Sequence, residues 1–574
     1  MNFVVCERRQ AVIDAIGHVL VLGGPGSGKT TLALLKARSL MPRLEAGQKT
    51  LFLSFSRAAV QQILTRCKEV LSKPERALID VRTYHALCWD LLHCHGRLFG
   101  GKILRMMTPR QEGVRRTAFD GDWEVERRRL FETDGVVCFD LFAHGAARLL
   151  EESRHLRGRI ADIYPLMILD EFQDTDDDQW RLVRALAQST TGVFLADADQ
   201  RIYDFRPGVR PERLDMLRAA LGPAETDLAD DNHRSADSDI LAYADAVLRG
   251  TGPLPQTADV VTNIYRYQNM FDSIVHFSVC AAYGELRRRS VDDPVIAVLA
   301  PSNALVADIS DILTQPHQFS GRALPPVSHD VVWDAELSAS AAMTVAAVLE
   351  LASMPTNAGR SALLERVAQY WLMKKDWAEQ YGTRGAASAN TRASRFSQAA
   401  ERVRNGHNLR RGITGDLCDA AAALYPLTGS PVTDWRSARA LFRGHADLKD
   451  IFTYVRMVRL FRATDILAGA LSALWIRQGH YGGAVQTVRR ILDQERLAGA
   501  EREPRGCMLM TLHKSKGKEF DGVVVVEGQW GGAFLKEHEA PHFEPSRRLL
   551  RVGITRARNL VVLVRPFGAT PLVS

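Results

Sequence analysis

Residues 18–31 read His-Val-Leu-Val-Leu-Gly-Gly-Pro-Gly-Ser-Gly-Lys-Thr-Thr, and they are the part of the sequence that indicates its fold most clearly. The apolar residues 19–22 predict a short buried strand, and Leu32, Leu34 and Leu35 begin a helical pattern directly after the glycines. A glycine-rich turn between a strand and a helix is the setting of a phosphate-binding loop with the pattern G-x-x-x-x-G-K-[ST]. We therefore predict a P-loop nucleotide site, and an ordinary glycine-rich turn is the weaker alternative.

The predicted loop assigns a task to each of its side chains. Its backbone N–H groups would donate to phosphate oxygens, because glycines let the chain turn inward around an anion. Lys29 would neutralise the β and γ phosphates, and the Thr30 hydroxyl would hold Mg²⁺. The expected cofactors are ATP and Mg²⁺. The residues expected to surround the phosphates are Gly24, Pro25, Gly26, Ser27, Gly28, Lys29, Thr30 and Thr31.

A second acidic element is needed to hold the metal and to activate water. Residues 166–169 are apolar and end in Asp170 and Glu171, as a buried strand followed by two carboxylates would. Asp170 would contact Mg²⁺ through water, and Glu171 would act as the general base or orient the attacking water. Taken with the loop, this pair predicts an Mg²⁺-dependent NTPase.

Later motifs make the class of NTPase specific. In chain order they are residues 170–174 (DEFQD), 195–206 (LADADQRIYDFR), 228–235 (LADDNHRS), 511–520 (TLHKSKGKEF) and 547–557 (RRLLRVGITRA). Together with the P-loop, they resemble the six ordered motifs of the UvrD/Rep-type superfamily 1A DNA helicases.

This resemblance implies roles for several residues. Gln200 would sense the γ phosphate, and Arg234 and Arg556 would reach it, with Arg556 acting as an arginine finger from the second motor domain. Gly517 and Glu519 of the fifth motif would adjoin the nucleotide. A surface arginine is the alternative for Arg234 and for Arg556. The expected catalytic set is Lys29, Glu171, Gln200, Arg234 and Arg556.

The resemblance also implies a track for single-stranded DNA. Aromatic rings that stack on bases suit a motor, because stacking stabilises each base by ~1–3 kcal/mol whatever the sequence. Core packing is the alternative for Tyr203 and Phe205, and a buried structural histidine is the alternative for His85 and His513. The expected DNA-binding residues are Phe55, Tyr84, His85, Tyr203, Phe205, Thr511 and His513.

The expected fold class is α/β, with two RecA-like P-loop NTPase motor domains in which helices flank parallel sheets. Each motor domain is expected to contain a mainly helical inserted subdomain. The predicted first motor domain (1A) takes residues 1–90 and 140–240, with 91–139 as its inserted subdomain (1B). The predicted second motor domain (2A) takes 241–315 and 505–574, with 316–504 as its inserted subdomain (2B).

Three departures from the resembled pattern affect these expectations. Gln10 is expected to read adenine, but it lies closer to the P-loop than is usual, and Arg8 occupies the usual spacing. The first DNA motif has the shorter Ser56-Arg57 where Thr-Asn-Lys is common. The sixth motif has Arg551 where tyrosine is common. These changes leave the ATPase residues intact and alter the expected contacts with DNA.

Composition sets the outer limits. Of 574 residues, 46% are hydrophobic and 25% are charged, which excludes general disorder, collagen and coiled-coil rods. The net charge of +7 is compatible with a polyanionic partner. Eight cysteines without a CxxC pair indicate reduced thiols, and the spacing of Cys88, His93, Cys94 and His95 fits a buried helical face better than a zinc module.

The ends of the sequence and its apolar runs bear on location. Residues 1–7 show no basic stretch followed by a long apolar one, and no run approaches the ~20 apolar residues of a membrane span. We therefore expect a cytoplasmic protein without a membrane partner. Because Ser574 follows the sixth motif closely, we also expect no appended nuclease domain.

The predicted function is an ATP-dependent motor that translocates on single-stranded DNA and unwinds tailed duplexes, with 3′→5′ polarity implied by the resemblance. The alternative is a DNA- or nucleotide-sensing ATPase subunit that regulates a partner such as a nuclease or repair factor, as in phage defence, without processive unwinding. A pseudoenzyme is a third, weaker possibility. The pathway stays open among DNA repair, replication restart, recombination, plasmid maintenance and phage defence.

Overall fold

The computed structural model describes most of the chain. The residues it describes are 5–99, 101–107, 111–112, 115, 119, 121–203, 208–228, 234–235, 238–332, 335–380, 385–409, 411–456, 466–499, 505–529, 532–536 and 539–573. Within them, two parallel six-stranded sheets are flanked by helices, as the expected α/β class requires.

The strands are numbered in chain order. They are β1 Val19–Leu22, β2 Thr50–Ser54, β3 Ile79–Thr83, β4 Arg105–Met107, β5 Val136–Cys138, β6 Leu166–Leu169, β7 Thr191–Ala196, β8 Ala224–Asp227, β9 Val260–Tyr265, β10 Ile296–Ala300, β11 His317–Phe319, β12 Arg322–Leu324, β13 His329–Val331, β14 Cys507–Thr511, β15 Phe520–Val526 and β16 Ala557–Pro566.

The α-helices are numbered in the same way. In the first part of the chain they are α1 Glu7–Asp14, α2 Lys29–Leu40, α3 Arg57–Val70, α4 Lys73–Arg76, α5 Tyr84–His95, α6 Trp123–Arg129, α7 Phe142–Glu152, α8 Arg154–Ile163, α9 Asp177–Ala187, α10 Arg213–Leu221, α11 Ile240–Arg249, α12 Gln268–Arg288 and α13 Asn303–Thr314. The remainder are α14 Ala335–Ser353, α15 Asn357–Gln380, α16 Ala386–Arg404, α17 Ile413–Ala422, α18 Pro431–Ala440, α19 Lys449–Arg456, α20 Ile466–Gln478, α21 Ala484–Gly499, α22 Leu512–Ser515 and α23 Glu544–Ile554.

The first sheet has the strand order β3-β2-β6-β7-β1-β8, and its paired strands run parallel. Four of its strands are almost continuously apolar, as strands covered by helices on both faces must be. Because the strands are parallel, the loops after β1, β6 and β7 meet at one edge. This edge therefore brings together the P-loop, the Asp-Glu pair and the segment around Gln200.

The second sheet has the order β13-β14-β10-β15-β16-β9 and is also parallel. Its strand β13, at residues 329–331, pairs with β14. The expected boundary at residue 315 therefore falls before the last segment that joins this sheet. Periodicity could not reveal so short a strand, because three residues carry no repeat.

The helices between residues 335 and 499 have a hydrophobic core of their own. The buried residues of this cluster lie between Leu337 and Leu492, and the fully buried Trp435 and Phe396 are among its largest members. By contrast, the segment 91–139 shares the core of the first sheet, since Leu104 and Phe131 lie in that cluster. This segment also contains the parallel pair β4–β5, which the expectation of a mainly helical insertion did not include.

None of the helices in the described ranges combines the length and the apolar character that crossing a bilayer demands.

Candidate nucleotide site and nucleic-acid interface

The P-loop follows β1 and ends where α2 begins at Lys29. The Gly23 N–H donates to the Ala196 carbonyl at 3.2 Å, which fixes the loop beside β7. Gly26 and Gly28 have φ angles of 78° and 83°, a region that side-chain-bearing residues rarely adopt. The sequence needs glycine at these two positions because the loop closes through left-handed backbone.

Lys29 and Ser27 line the interior of this loop. The Lys29 Nζ donates to the carbonyls of Gly23 at 2.5 Å and Gly24 at 3.0 Å. Burial lowers the pKa of Lys29, and the nearby carboxylates of Asp197 and Glu171 act in the opposite direction. The Ser27 hydroxyl is buried and makes no hydrogen bond within the described residues. An ammonium, an unused hydroxyl and a glycine-lined backbone fit a phosphate group.

The acidic pair begins where the fully buried strand β6 ends. The Asp170 N–H donates to the Leu53 carbonyl at 3.0 Å, which fixes the start of the pair against β2. Glu171 has a φ of 52°, a left-handed conformation that stores on the order of 1–3 kcal/mol of strain in a non-glycine residue. The Gln173 amide donates to Glu171 Oε2 at 2.6 Å. The surrounding hydrogen bonds hold Glu171 in this strained position.

The two neighbouring carboxyls differ in their affinity for a proton. Burial and the adjacent Glu171 raise the pKa of Asp170 to about 7. Burial would also raise the pKa of Glu171, but Lys516, Lys29 and the Gln173 amide lower it below its usual value. Glu171 is therefore the carboxylate that stays ionised, which suits a group that accepts a proton from water.

A lysine from the second sheet reaches this acidic pair. Lys516 follows β14, is 6% exposed at its side chain, and forms a buried ion pair with Asp174. Its Nζ also lies 3.6 Å from Glu171 Oε2 and donates to the Gln200 carbonyl at 2.7 Å. Burial opposes the charge, but the carboxylates of Asp174 and Glu171 raise the pKa of Lys516. Lys516 therefore stays protonated and ties the two sheets together.

Gln200 forms a second contact between the sheets. Its Nε2 donates to Asp197 Oδ2 at 2.8 Å, at the end of β7. Its Oε1 accepts from Arg556 Nη2 at 3.0 Å, and Arg556 lies just before β16 in the second sheet. Burial and the neighbouring Arg234 lower the pKa of Arg556 to about 9, while Glu171 acts in the opposite direction. The expected sensor and the expected arginine finger are thus in direct contact.

Arg234 lies beside Arg556 and is held by residues of the second sheet. It donates to Glu519 Oε1 at 2.7 Å and to the Thr555 carbonyl at 3.1 Å. Arg558 donates to the other oxygen of Glu519 at 3.1 Å. Burial would raise the pKa of Glu519, but Arg234 and Arg558 lower it to about 2. Glu519 is therefore an ionised anchor that orients Arg234.

The remaining expected nucleotide contacts lie at the margins of the site. Thr30 and Thr31 open α2 and are partly buried. Gly517 has a φ of 76° and faces Gln62 of α3, across the gap between the sheets. Gln10 lies on α1, where its amide donates to the Asp14 carboxylate at 2.9 and 3.0 Å and is exposed. A contact between Gln10 and adenine stays a prediction.

The expected DNA contacts on the first sheet differ in accessibility. Tyr84 is 1% exposed and packs in the sheet's core, with its ring 5.0 Å from that of Phe55. Phe55 is only partly buried. His85 stacks on Phe139 at 4.3 Å between ring centres. Phe139 is exposed and Phe55 and His85 are partly buried, whereas the Tyr84 ring is covered.

The expected DNA contacts near the gap between the sheets are also uneven. Lys516 Nζ lies 5.3 Å above the ring of Tyr203, in a cation–π arrangement. Thr511 is buried at the end of β14, and His513 is partly buried on α22. Phe205 lies outside the described residues. DNA binding by all of these residues stays a prediction.

The cysteine and histidine group on α5 does not converge. Cys88 is buried, whereas His93 and Cys94 point to the exposed side of the helix. Across the described ranges, no three His, Cys, Asp or Glu side chains come together as a metal site. An Mg²⁺ ion at a P-loop needs fewer side-chain ligands than such a cluster supplies, because one or two protein oxygens and the substrate phosphates hold it.

Four charged residues take part in the site although the sequence patterns gave them no task. They are Asp174, Asp197, Lys516 and Arg551, which belong to the quoted motifs. Their shared signal is a charged residue in the same motif as an assigned one and within about five positions of it. That signal cannot name the partner, since Lys516 and Asp174 are 342 positions apart.

Comparison with known families and proteins agrees with this geometry. A family described as an AAA domain matches residues 8–206, and one described as a UvrD-like helicase C-terminal domain matches residues 506–564. These ranges contain the P-loop and acidic pair of the first sheet and the Lys516 and Arg556 segments of the second.

Individual proteins similar to this chain match only parts of it, at 24% to 36% identity. The ATP-dependent DNA helicase Rep of Escherichia coli is 24% identical over 275 residues, which is 40% of this chain and 41% of Rep. DNA helicase II of the same organism is 25% identical over 288 residues, 42% of this chain and 40% of that protein. The RecBCD enzyme subunit RecB of Mycolicibacterium smegmatis is 36% identical over 129 residues, 22% of this chain and 11% of RecB.

The matched regions thus span about two fifths of the length of the two helicases. The two family matches, these relatives and the motif order support one assignment, that of a UvrD-like superfamily 1 helicase.

Proposed function

We propose that this chain is an ATP-dependent DNA motor that moves along single-stranded DNA in the 3′→5′ direction and unwinds tailed duplexes. The observation that supports this most is the hydrogen bond between Arg556 and Gln200, at 3.0 Å. It joins an arginine of the second sheet to the phosphate-sensing position of the first. ATP hydrolysis at this contact would therefore depend on how the two sheets are placed.

Bound ATP with Mg²⁺ would supply the transferable γ-phosphoryl group and a divalent charge beside it. Thr30 and Asp170 are the residues proposed to hold the metal, and Lys29 would neutralise the phosphates. The ionised Glu171 would take the proton of the attacking water, since its pKa is held low by Lys516 and Lys29. Arg234 and Arg556 would stabilise the charge that builds up as the phosphoryl group leaves.

Motion would follow from the shared site. The cations Lys516 and Arg556 belong to one sheet, and the carboxylates of Glu171 and Asp174 belong to the other. Nucleotide binding would strengthen these contacts, and hydrolysis with product release would weaken them, so the gap would close and reopen once per cycle. A single strand stacked near Tyr203 and Phe55 would advance with each closure.

The test is a strand-displacement assay with the purified chain, ATP and Mg²⁺, on duplexes that carry either a 3′ or a 5′ single-stranded tail. The proposal expects displacement from the 3′-tailed duplex and loss of displacement in Lys29→Ala. Displacement from the 5′-tailed duplex alone would overturn the polarity. Hydrolysis stimulated by RNA but not by DNA would overturn the DNA assignment.

A second candidate is an ATPase subunit that senses DNA or nucleotide and regulates a partner. The observation that favours it is the similarity to RecB, which is named as a subunit of the RecBCD enzyme. This candidate predicts DNA-stimulated hydrolysis without strand displacement by the isolated chain. Processive unwinding by the chain alone would argue against it. A nuclease or repair partner and a cytoplasmic location stay predictions.

A further inference from the structure

Arg551 is a buried arginine whose side chain faces three carboxylates. It lies on α23, it is 3% exposed, and it stands where tyrosine is common in the resembled motif. Its Nε donates to Asp245 Oδ1 at 2.8 Å, and its Nη1 and Nη2 lie 3.8 and 4.0 Å from the carboxylates of Asp197 and Asp199. A tyrosine could not pair with all three.

The three carboxylates belong to different parts of the molecule. Asp245 lies on α11, which packs with α23 in the core of the second sheet. Asp197 and Asp199 follow β7, at the nucleotide edge of the first sheet. The guanidinium is therefore anchored to its own side by Asp245 and directs its two outer nitrogens across the gap.

Asp197 links this arginine to the proposed catalytic residues. Its Oδ2 accepts from Gln200 Nε2 at 2.8 Å, and its N–H donates to Gln173 Oε1 at 3.1 Å. Gln200 contacts Arg556, and Gln173 contacts Glu171. A shift of Asp197 would therefore disturb both the sensor and the general base.

One nitrogen of Arg551 is still available for a closer contact. Nη1 is buried and makes no hydrogen bond to any described part of the chain, although it faces Asp197 Oδ2 at 3.8 Å. An unsatisfied buried donor beside a carboxylate is costly, and a slightly narrower gap would satisfy it. The planar fork of arginine suits two carboxylates at once, which lysine cannot match.

We propose that Arg551 is a positioning residue: tethered by Asp245, it holds Asp197 across the gap between the sheets and so places Gln200 against Arg556. This inference rests on the hydrolysis proposed above. Arg551 would give the chain a charged link between its sheets at a position where the resembled motif commonly has tyrosine.

The kinetic test uses steady-state ATP hydrolysis with single-stranded DNA and Mg²⁺. Arg551→Met is expected to lower kcat by about 10–100-fold while the KM for ATP changes little, because the effect reaches the substrate through Gln200. Asp245→Asn, which lies on a partly exposed helix face, should lower kcat in the same direction. In a Gln200→Ala background, Arg551→Met should cause a smaller further loss, limited to the part that reaches Glu171 through Gln173.

The control is Arg547→Met on the same helix. Arg547 is 6% exposed, and among the described residues its guanidinium donates to backbone carbonyls, those of His542, Val247 and Leu572. Its loss should lower the unfolding temperature, and its effect on kcat should be the same with or without Gln200. The inference is wrong if Arg551→Met behaves like this control, or if Arg551→Met and Asp245→Asn both turn over at the wild-type rate.

A second readout needs no nucleotide. Urea denaturation of wild type, Arg551→Met, Asp197→Asn and the double variant should show coupling: the double variant should lose less stability than the sum of the two single losses. Additive losses would overturn the link between Arg551 and Asp197. If the wild type hydrolyses no more ATP than Lys29→Ala, the proposed function fails, and the denaturation cycle still decides whether the link exists.

Discussion

The two six-stranded sheets are built alike, yet they bring opposite charges to the gap between them. The first sheet presents carboxylates after β6 and β7, among them Glu171, Asp174 and Asp197. The second sheet presents the cations Lys516, Arg551 and Arg556. Two features have the opposite sign: Lys29 in the P-loop of the first sheet, and Glu519 of the second sheet's segment, which pairs with Arg234.

Because the charges are divided in this way, neither sheet contains a complete site. The first sheet alone would gather buried negative charge, and the second would gather buried positive charge. An ion is expensive to bury unless it is paired. Each sheet therefore depends on the other to neutralise its buried charges. We expect a change at the nucleotide site of the first sheet to alter its contacts with the second. The helices between residues 335 and 499, with their separate core, lie outside this exchange.

The largest expected effect comes from the first sheet. Lys29→Ala and Glu171→Gln should reduce DNA-stimulated ATP hydrolysis to background, since one removes the phosphate-binding charge and the other removes the base. Phosphate release measured at saturating ATP checks both. Glu225→Gln on β8, an outer carboxylate paired with Arg218, is the matched control and should turn over normally. Hydrolysis by either site variant at the wild-type rate would refute the roles.

The next effect comes from the second sheet. Arg556→Ala should lower kcat by about 10³–10⁵-fold, the range that arginine fingers supply in phosphoryl transfer. Arg558→Ala, two residues further on and half exposed, should lower kcat far less. Equal losses in the two variants, measured as kcat under the same conditions, would show that Arg556 has no special position.

The ion pair between Lys516 and Asp174 should contribute measurably to the free energy of unfolding. Lys516→Met removes the cation of the buried ion pair with Asp174, and breaking such a pair costs about 3–5 kcal/mol in the free energy of unfolding. Denaturant titration checks this value. Lys36→Met is the control, because Lys36 is also buried but binds the carbonyls of Ile13 and Ala15. If the two variants lost similar stability, the pairing with Asp174 would contribute nothing particular.

The smallest effect is a pH dependence. The pKa of Glu519 falls from an ordinary 4.5 to about 2 on folding. Its ionised form therefore stabilises the folded chain above pH 4.5, and this contribution is lost as the pH falls towards 2. The stability difference between wild type and Glu519→Gln should shrink over that range. A difference that stays constant from pH 6 to pH 3 would contradict the pairing with Arg234 and Arg558.

The local parts of this site could be predicted from the sequence. The P-loop and the pair Asp170 and Glu171 each follow a short apolar run that predicts a buried strand, so their neighbours along the chain reveal them. Gly26 and Gly28 also mark the loop in the sequence, because the loop closes through left-handed backbone that favours glycine.

The long-range parts could not be predicted. Lys516 contacts Asp174, and Arg551 faces Asp197, only once both sheets have formed and packed beside each other. The spacing of residues along the chain carries no information about that packing. Tyr84 shows the converse: its motif suggested an accessible ring, but it opens α5 facing the core of the first sheet, so packing covers it. The strand β13 was missed because three residues show no periodicity.

We expect residues from the two sheets to act as one catalytic site. The most direct measurement is kcat for ATP hydrolysis with single-stranded DNA in wild type, Gln200→Ala, Arg556→Ala and the double variant. We expect the double variant to be no slower than Arg556→Ala alone, because Gln200 and Arg556 act through one contact. Losses that multiply in the double variant would contradict it.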